Sequence, residues 1–373
     1  MDFGIDTHGG ERDGEGNSTY IRNLSRSLLT LDGDDTFALF AGEPGHSFYR
    51  SLSAAPRFRV RAVAQHGGLG RILWALARAA ARERVNALHV HYFAPLGYAG
   101  PIALTVHDLG FIDVPASFPS SHRLLMRALV PWSVRRAARV ITPSEFTRRA
   151  LQARYGIASH RISVIWPGVG ENFRPLTETE IRAVLARYGL EPGFLFSLGR
   201  LNRRKNLGTL LRAYAALRAQ GRADLTLVIG GKVDHGVEKL VRGFRESRRS
   251  SRVHWVGLIP DADLPAFYAG ATCFVYPSLF EGFGLPLLEA MACGCPVVSS
   301  DRTACPEVVG TAGLLVDPED VTAIAAAIAR VLDDEALRAD LRASGLARSR
   351  LFTWEESARR TLRVLREAAG RHG

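Results

Sequence analysis

The sequence predicts an α/β protein built on two doubly wound parallel sheets, and three observations carry that expectation. Short apolar runs rich in β-branched residues alternate with amphipathic stretches along the chain. The runs are more numerous than one open sheet usually accommodates. A stretch rich in Gly and Pro, residues 166–180, breaks the alternation near the middle.

In order, the strand-like runs are FGI, TFALFA, FRVRAVA, ALHVHYF, IALTVHD, RVITPS and ISVIWPG, then FLFSLGR, LTLVIGG, RVHWVG, CFVYPS and PVVSS. Between most of them lie helical segments such as STYIRNLSRSLLTL and KNLGTLLRAYAALRAQG, where apolar residues recur every three or four positions and a Gly follows the end. Residues 166–180 carry no periodicity and close on a Thr-x-x-Glu capping signal that opens a new helix. A first domain is therefore expected at 1–172 and a second at 173–350. The last helix, within 351–373, follows completion of the second sheet and is expected to cross back onto the first domain.

A chain of 373 residues, 47% hydrophobic and 23% charged, can bury a core large enough for two domains. Its longest apolar runs fall well short of the roughly 18 residues that cross a bilayer. The N-terminal stretch lacks the basic start and apolar core of a secretory signal, so a cytoplasmic location is expected. Cys273, Cys293, Cys295 and Cys305 form no CxxC pair and have no accompanying His cluster, which argues for buried free thiols rather than structural zinc. An excess of 48 basic over 37 acidic residues gives a net charge of +11, which suits anionic partners. No zinc-finger spacing, RNP-like aromatic sequence or long basic block is present, so no nucleic-acid partner is expected.

In doubly wound sheets ligands bind beyond the carboxyl ends of the strands, so the residues just after each apolar run are the ones to search. After the first run comes a loop with Gly14 and Gly16 leading into a helix, whose free N–H groups suit an anion or a sugar hydroxyl; a plain surface turn is the alternative. Asn17-Ser18-Thr19 follows where a GxGxxG motif needs its third glycine, so a nucleotide fingerprint is unsupported there. His107-Asp108 ends the IALTV run, and His91-Tyr92 lies at the same mouth; for His91 and Tyr92 a structural role is the expectation. After FLFSL, Gly199 permits a tight turn while Arg200 and Lys205 supply two cations suited to a diphosphate, with solvated surface charge as the alternative. Past CFVYPS, the segment EGFGLPLLEAMACGCPVV carries Glu281, Gly282, Phe283, Gly284 and a helix starting near Leu285 with Pro286 in its first turn. Its glycines admit a ligand to the backbone, and the helix start favours phosphate. Glu289, about one turn in, is placed to receive a vicinal diol.

These motifs, with SLGRLNRRKNL, TPSEFT and WVGLIPDADLPAFYAGA, resemble the retaining nucleotide-sugar glycosyltransferases of family 4, which have the GT-B fold: two Rossmann-like domains facing each other across a cleft. The resemblance is strongest from about residue 190 to 317 and looser before residue 100, where Asn17-Ser18-Thr19-Tyr20 departs from the family's Gly-x-Gly-Arg-Tyr turn. It implies that the second domain holds the donor. Arg200 and Lys205 would hold the diphosphate after Gly199, with amides near Phe283, Gly284 and Leu285 assisting. Glu289 would take the ribose hydroxyls and Glu281 the donor sugar, and the base would lie against Gly257, Leu258, Ile259 and Pro260. His107 of the first domain would reach the sugar near the reacting carbon, and Gly16 would sit on the acceptor side. On this reading Glu281 and Glu289 grip two ends of one donor rather than forming an acid/base couple. No Asp-x-Asp metal motif follows a strand, and no obligatory metal is expected.

The donor favoured by similarity to bacterial surface-polysaccharide mannosyltransferases is GDP-mannose, with UDP-glucose as the alternative. The acceptor is expected to be a glycan or lipid-linked glycan. Residues 70–85, with Trp74, and 122–140 are basic and partly apolar. They read as packing helices, with peripheral docking on an anionic membrane at the inner face of the cell membrane as the rival. A non-catalytic anionic-glycan or nucleic-acid binding protein would account for the charge but leaves the ordered Glu and Arg/Lys motifs unexplained.

Overall fold

The computed structural model describes residues 1–12, 14, 16–53, 55–63, 70–234, 236–246 and 252–370. Its apolar runs become parallel strands, and the chain divides into two units. Residues 1–112, 120–168 and 353–373 make the first, and 113–119 with 169–352 the second.

In the first unit the strands are β1 (Asp2–Asp6), β2 (Thr36–Ala41), β3 (Phe58–Ala62), β4 (Ala87–His91), β5 (Ile102–Thr105), β6 (Arg139–Thr142) and β7 (Ile162–Val164). They pair in the order β3-β2-β1-β4-β5-β6-β7, all parallel. The second unit holds β8 (Phe194–Leu198), β9 (Leu227–Gly230), β10 (Val253–Gly257), β11 (Ala271–Tyr276), β12 (Val297–Ser300) and β13 (Leu314–Val316). Its order is β10-β9-β8-β11-β12-β13, again parallel. Helices on both faces bury the strands from two sides, which is why runs such as TFALFA and CFVY are apolar almost throughout rather than alternating. Strand order reverses at β1/β4 in the first sheet and at β8/β11 in the second. Diverging connections leave a crevice at the carboxyl ends of such pairs.

Local signals account for several boundaries. Thr177 caps the helix Glu178–Leu185 through a full capping box: its hydroxyl accepts from Glu180 N–H, and the Glu180 carboxylate accepts from Thr177 N–H at 2.7 Å. The chain passes between units after Ile112, Pro119, Gly168 and Phe352. Residues 113–119 count with the second unit, where the Pro115–Ser117 turn packs on the Arg203–Lys205 turn.

The final helix, Trp354–Gly370, packs against the helix Gly16–Thr30 and strands β4–β6 of the first unit. The approach is close enough that a Cβ on Gly168 would lie 2.1 Å from the Trp354 amide nitrogen. Ser357 donates to the Trp166 carbonyl, and Arg366 reaches Asp35 at 2.6 Å. All four cysteines are buried free thiols. Among the described residues no cluster of His, Cys, Asp and Glu could hold a metal, and no helix is long and apolar enough to cross a membrane.

Candidate active site

The residues that follow β8 and β11, the two strands at the reversal of the second sheet, converge on one buried ionic cluster. After β8 the chain turns at once at Gly199 (φ +151°), and Gly231 (φ +113°), just past β9, lies against that turn: a Cβ on Gly231 would sit 1.9 Å from the Gly199 carbonyl oxygen. A short 3₁₀ turn, Arg203–Lys205, follows, and Asn206 adopts left-handed φ (+55°) before the helix Leu207–Ala219. Lys205 therefore ends a turn rather than opening the helix. That turn aims its stem over Gly199, where a Cβ would lie 2.9 Å from Lys205 Cε.

Lys205 Nζ donates to Glu281 Oε1 at 2.7 Å and to the Tyr276 hydroxyl, and lies 4.4 Å from the Tyr276 ring centre. Arg204 Nη1 donates to Glu281 Oε2 at 3.0 Å and to the Phe280 carbonyl at 3.2 Å. The Glu281 amide in turn donates to Thr303 Oγ1 at 3.0 Å. Burial alone would push the Glu281 carboxyl up. Arg204 and Lys205 outweigh it and hold the group at about 2, so it is ionised at neutral pH. Burial also pulls the Lys205 ammonium below the usual lysine range, against the support of Glu281. Burying a carboxylate and two cations together costs desolvation of all three, which their mutual attraction offsets. The cluster's groups are of the kinds that pair with an anion (the cations) and with a hydroxyl (the carboxylate).

The Arg200 side chain is half exposed, and its Nε pairs with Asp234 at 2.7 Å. Arg204, not singled out from the sequence, reaches Glu281 beside Lys205, and a run of basic residues in RLNRRKN gives no pattern that tells which arginine turns toward that carboxylate.

Gly284, at φ +110°, starts the helix Leu285–Ala292, with Pro286 in its first turn where no N–H is missed. Gly282 precedes it, and Phe283 is buried edge-on against Phe352, with ring centres 5.9 Å apart. Glu289 lies within that helix, is 8% exposed, and accepts a 2.9 Å hydrogen bond from the Tyr268 hydroxyl. Burial, aided by the charge of Asp261, raises its carboxyl from 4.5 to about 7 against the opposing Tyr268 hydrogen bond. The two glutamates thus occupy opposite electrostatic settings. One is held charged, and the other is poised between states at neutral pH.

At the ends of β9 and β10, Gly231 N–H donates to the Gly257 carbonyl at 2.6 Å. Gly257 and exposed Leu258 border a cavity of about 240 Å³ whose walls include Leu201, Ile229, Val233 and Trp255. Ile259 is buried and packs toward Gly230 rather than facing this cavity's lining.

In the first unit His107 follows β5 and is buried, with its ring 4.9 Å from that of Tyr20. Burial lowers it to about 3, so it is a neutral imidazole at physiological pH. His91, at the end of β4, meets it with 3.2 Å between Nδ1 and Nε2. Gly16 begins the helix Gly16–Thr30, so Asn17 and Ser18 lie inside it, and Ser18 donates to the Gly9 carbonyl at 2.8 Å. Asp13 and Glu15 of that glycine-rich loop lie outside the described residues.

Residues 178–348 match the family model for glycosyl transferases group 1, and residues 15–173 match that for glycosyltransferase family 4. O-antigen chain mannosyltransferase B of Escherichia coli is 36% identical over 259 residues, 69% of this chain and 68% of that protein. The serotype-specific mannosyltransferase WbdA of Escherichia coli is 37% identical over 207 residues, 54% of this chain, so the match spans only a quarter of WbdA. Among solved structures, sucrose-phosphate synthase from Thermosynechococcus elongatus superposes with a TM-score of 0.76 at 25% identity, covering 98% of each chain. Anabaena HepE, solved with UDP and glucose, gives 0.75 at 21% identity over 98% of this chain and 99% of its own, a likeness of fold.

Proposed function

The chain belongs to the group 1, family 4 glycosyltransferases, and from that premise we propose that it transfers a mannosyl group from GDP-mannose to a glycan or lipid-linked glycan, with retention of anomeric configuration. The observation that carries the reading is the buried Lys205–Glu281–Arg204 cluster at the β8/β11 reversal. The choice of mannose rests on the mannosyltransferases among its relatives.

In the proposed reaction the bond between the sugar's C1 and the β-phosphate oxygen breaks, leaving its electron pair on the diphosphate. An acceptor hydroxyl oxygen bonds to C1 on the same face, and its proton passes to a phosphate oxygen. Positive charge grows on the sugar ring and negative charge on the leaving group. Fixed cations at the phosphates therefore act where charge develops. Lys205 takes the diphosphate together with Arg200, whose half-exposed guanidinium can exchange Asp234 for phosphate. The start of the helix Leu285–Ala292 adds amide N–H groups near Phe283, Gly284 and Leu285. Once phosphate engages the cations, Glu281 is released to accept from hydroxyls of the sugar. Glu289 accepts from the ribose diol, and the cavity beside Gly257 and Leu258 receives the base. His107 is assigned to a donor-sugar hydroxyl, and Gly16 to the acceptor side. The domain roles follow: the first unit for the acceptor, the second for the donor.

UDP-glucose is the second reading, favoured by the UDP-glucose complex of the structurally similar HepE. Acceptor-dependent release of nucleoside diphosphate from GDP-mannose, with the product anomer read by NMR, tests the proposal. Release from UDP-glucose alone would transfer the assignment to the second reading, and release from neither would end it. Exposed Trp74, Leu124 and Trp132 in arginine-bearing segments support a peripheral membrane contact near a lipid-linked acceptor. Flotation with anionic liposomes at low and high salt tests that contact.

A further inference from the structure

His91 and His107 meet ring nitrogen to ring nitrogen, so one of the two donates a proton to the other. Strands β4 and β5 pair in parallel with His91 opposite Thr105, which brings the His91 ring beside His107 two residues further on. The rings are nearly parallel, 14° apart with centres separated by 5.2 Å, and 3.2 Å separates His91 Nδ1 from His107 Nε2. Tyr20 presses edge-on against both rings, at 5.8 Å from His91 and 4.9 Å from His107. His91 Nε2 is buried with no hydrogen-bond partner among the described residues. Burial lowers both imidazoles, His91 well below its usual range, so both are neutral at physiological pH and each carries one ring proton.

Two arrangements satisfy the contact. If His107 Nε2–H donates to His91 Nδ1, the His91 proton must sit on Nε2, a buried N–H donor with nothing to receive it. If His91 Nδ1–H donates to His107 Nε2, the orphaned Nε2 of His91 is only a lone pair, and the proton of His107 sits on Nδ1. An unmet buried donor is the costlier defect. We infer that His91 is a positioning residue that fixes His107 as the Nδ1–H tautomer, so that His107 offers an N–H donor to an oxygen of the donor sugar. The tautomer rests on this geometry, and its use on the sugar rests on the function proposed above.

The test begins with the wild-type protein carrying ring-15N histidine, in which long-range proton–nitrogen correlations assign the tautomers directly. A protonated Nδ1 on both His91 and His107 supports the inference, and a protonated Nε2 on His107 overturns it, whatever the activity. Kinetics of His91→Leu and His91→Asn then read the consequence, because Asn can present an amide N–H where His91 Nδ1–H stood. His91→Leu is expected to lower kcat/KM for the sugar donor about tenfold, the size of one lost hydrogen bond, with the Kd for free nucleoside diphosphate unchanged. His91→Asn is expected to recover most of that loss. Equal losses in the two variants, or a matching loss of nucleoside diphosphate affinity, would reduce His91 to a packing residue. Should both variants fail to fold, the wild-type tautomers decide. The expected tautomers in a protein that transfers no sugar would leave the inference about His91 standing and remove the proposed function.

Discussion

Replacing Glu289 with Gln isolates one titration whose size the structure sets. The Glu289 carboxyl is raised to about 7 by burial, and the Tyr268 hydroxyl supports the charged form. At about pH 7 it is therefore about half protonated. Ribose hydroxyls that donate to it would favour the carboxylate. Lowering the group by about one unit drops the protonated fraction from about one half to about one tenth, so about 0.4 proton leaves for each donor bound. GDP-mannose is the correct titrant, because its esterified phosphates do not take up protons near neutrality. Calorimetry at about pH 7 in buffers of different ionisation enthalpy reads the release as the slope of observed enthalpy against buffer enthalpy. A slope near 0.4 proton in the wild type and near zero in Glu289→Gln is expected. The same group bears on stability: its folded value lies above 4.5, so the native state holds the extra proton, and stability falls as pH rises from about 4.5 to 7, by about 3 kcal/mol. Glu289→Gln should flatten that fall. A wild-type slope of zero, or an equal slope in the variant, would refute the assignment of Glu289 to the ribose.

Glu281 behaves in the opposite sense: its folded value is depressed to about 2, so about 3 kcal/mol of stability is present above about pH 4.5 and is lost as pH falls toward 2. Acid unfolding of Glu281→Gln should lack that component, and an unchanged profile would contradict the ionised cluster. Lys205→Ala leaves the buried carboxylate with Arg204 and should cost about 3 kcal/mol in urea unfolding and about 100-fold or more in kcat; wild-type turnover would remove Lys205 from the phosphate site. Arg200→Ala removes a half-exposed ion pair with Asp234 and should change stability by less than about 1 kcal/mol, yet reduce turnover about tenfold or more. Full activity would pass its role to Arg204. Gly231→Ala forces a Cβ to 1.9 Å from the Gly199 carbonyl at φ +113°, and a loss of about 3 kcal/mol or more in thermal unfolding is expected; an unchanged Tm would contradict the close approach of the two turns.

Elements buried on both faces were the most legible in the sequence, because their apolar runs are nearly continuous: TFALFA, ALHVH and CFVY all form strands where expected. Strand β13 was missed because its three residues, LLV, are too few to show a period. The switch-point glycines and the capping box at Thr177 and Glu180 were readable because each serves a local backbone need. Side-chain direction within a charged run was not. Which of Arg200, Arg203 and Arg204 turns inward depends on the 3₁₀ turn and on left-handed Asn206, neither of which has a distinct residue signature here. The pairing of His91 with His107 depends on strand register, which fixes neighbours only once β4 and β5 are known to lie side by side. The seven residues 113–119 fall in with the second unit for a similar reason: that contact is made by tertiary packing and leaves no local pattern.

The most direct measurement is a crystal structure with GDP-mannose bound. The account predicts diphosphate oxygens within hydrogen-bonding distance of Lys205 Nζ and of the amides opening the helix Leu285–Ala292, with the Glu281 carboxylate turned from Lys205 to the hydroxyls of mannose. A nucleotide lodged elsewhere, with the 2.7 Å Lys205–Glu281 contact intact, would contradict it.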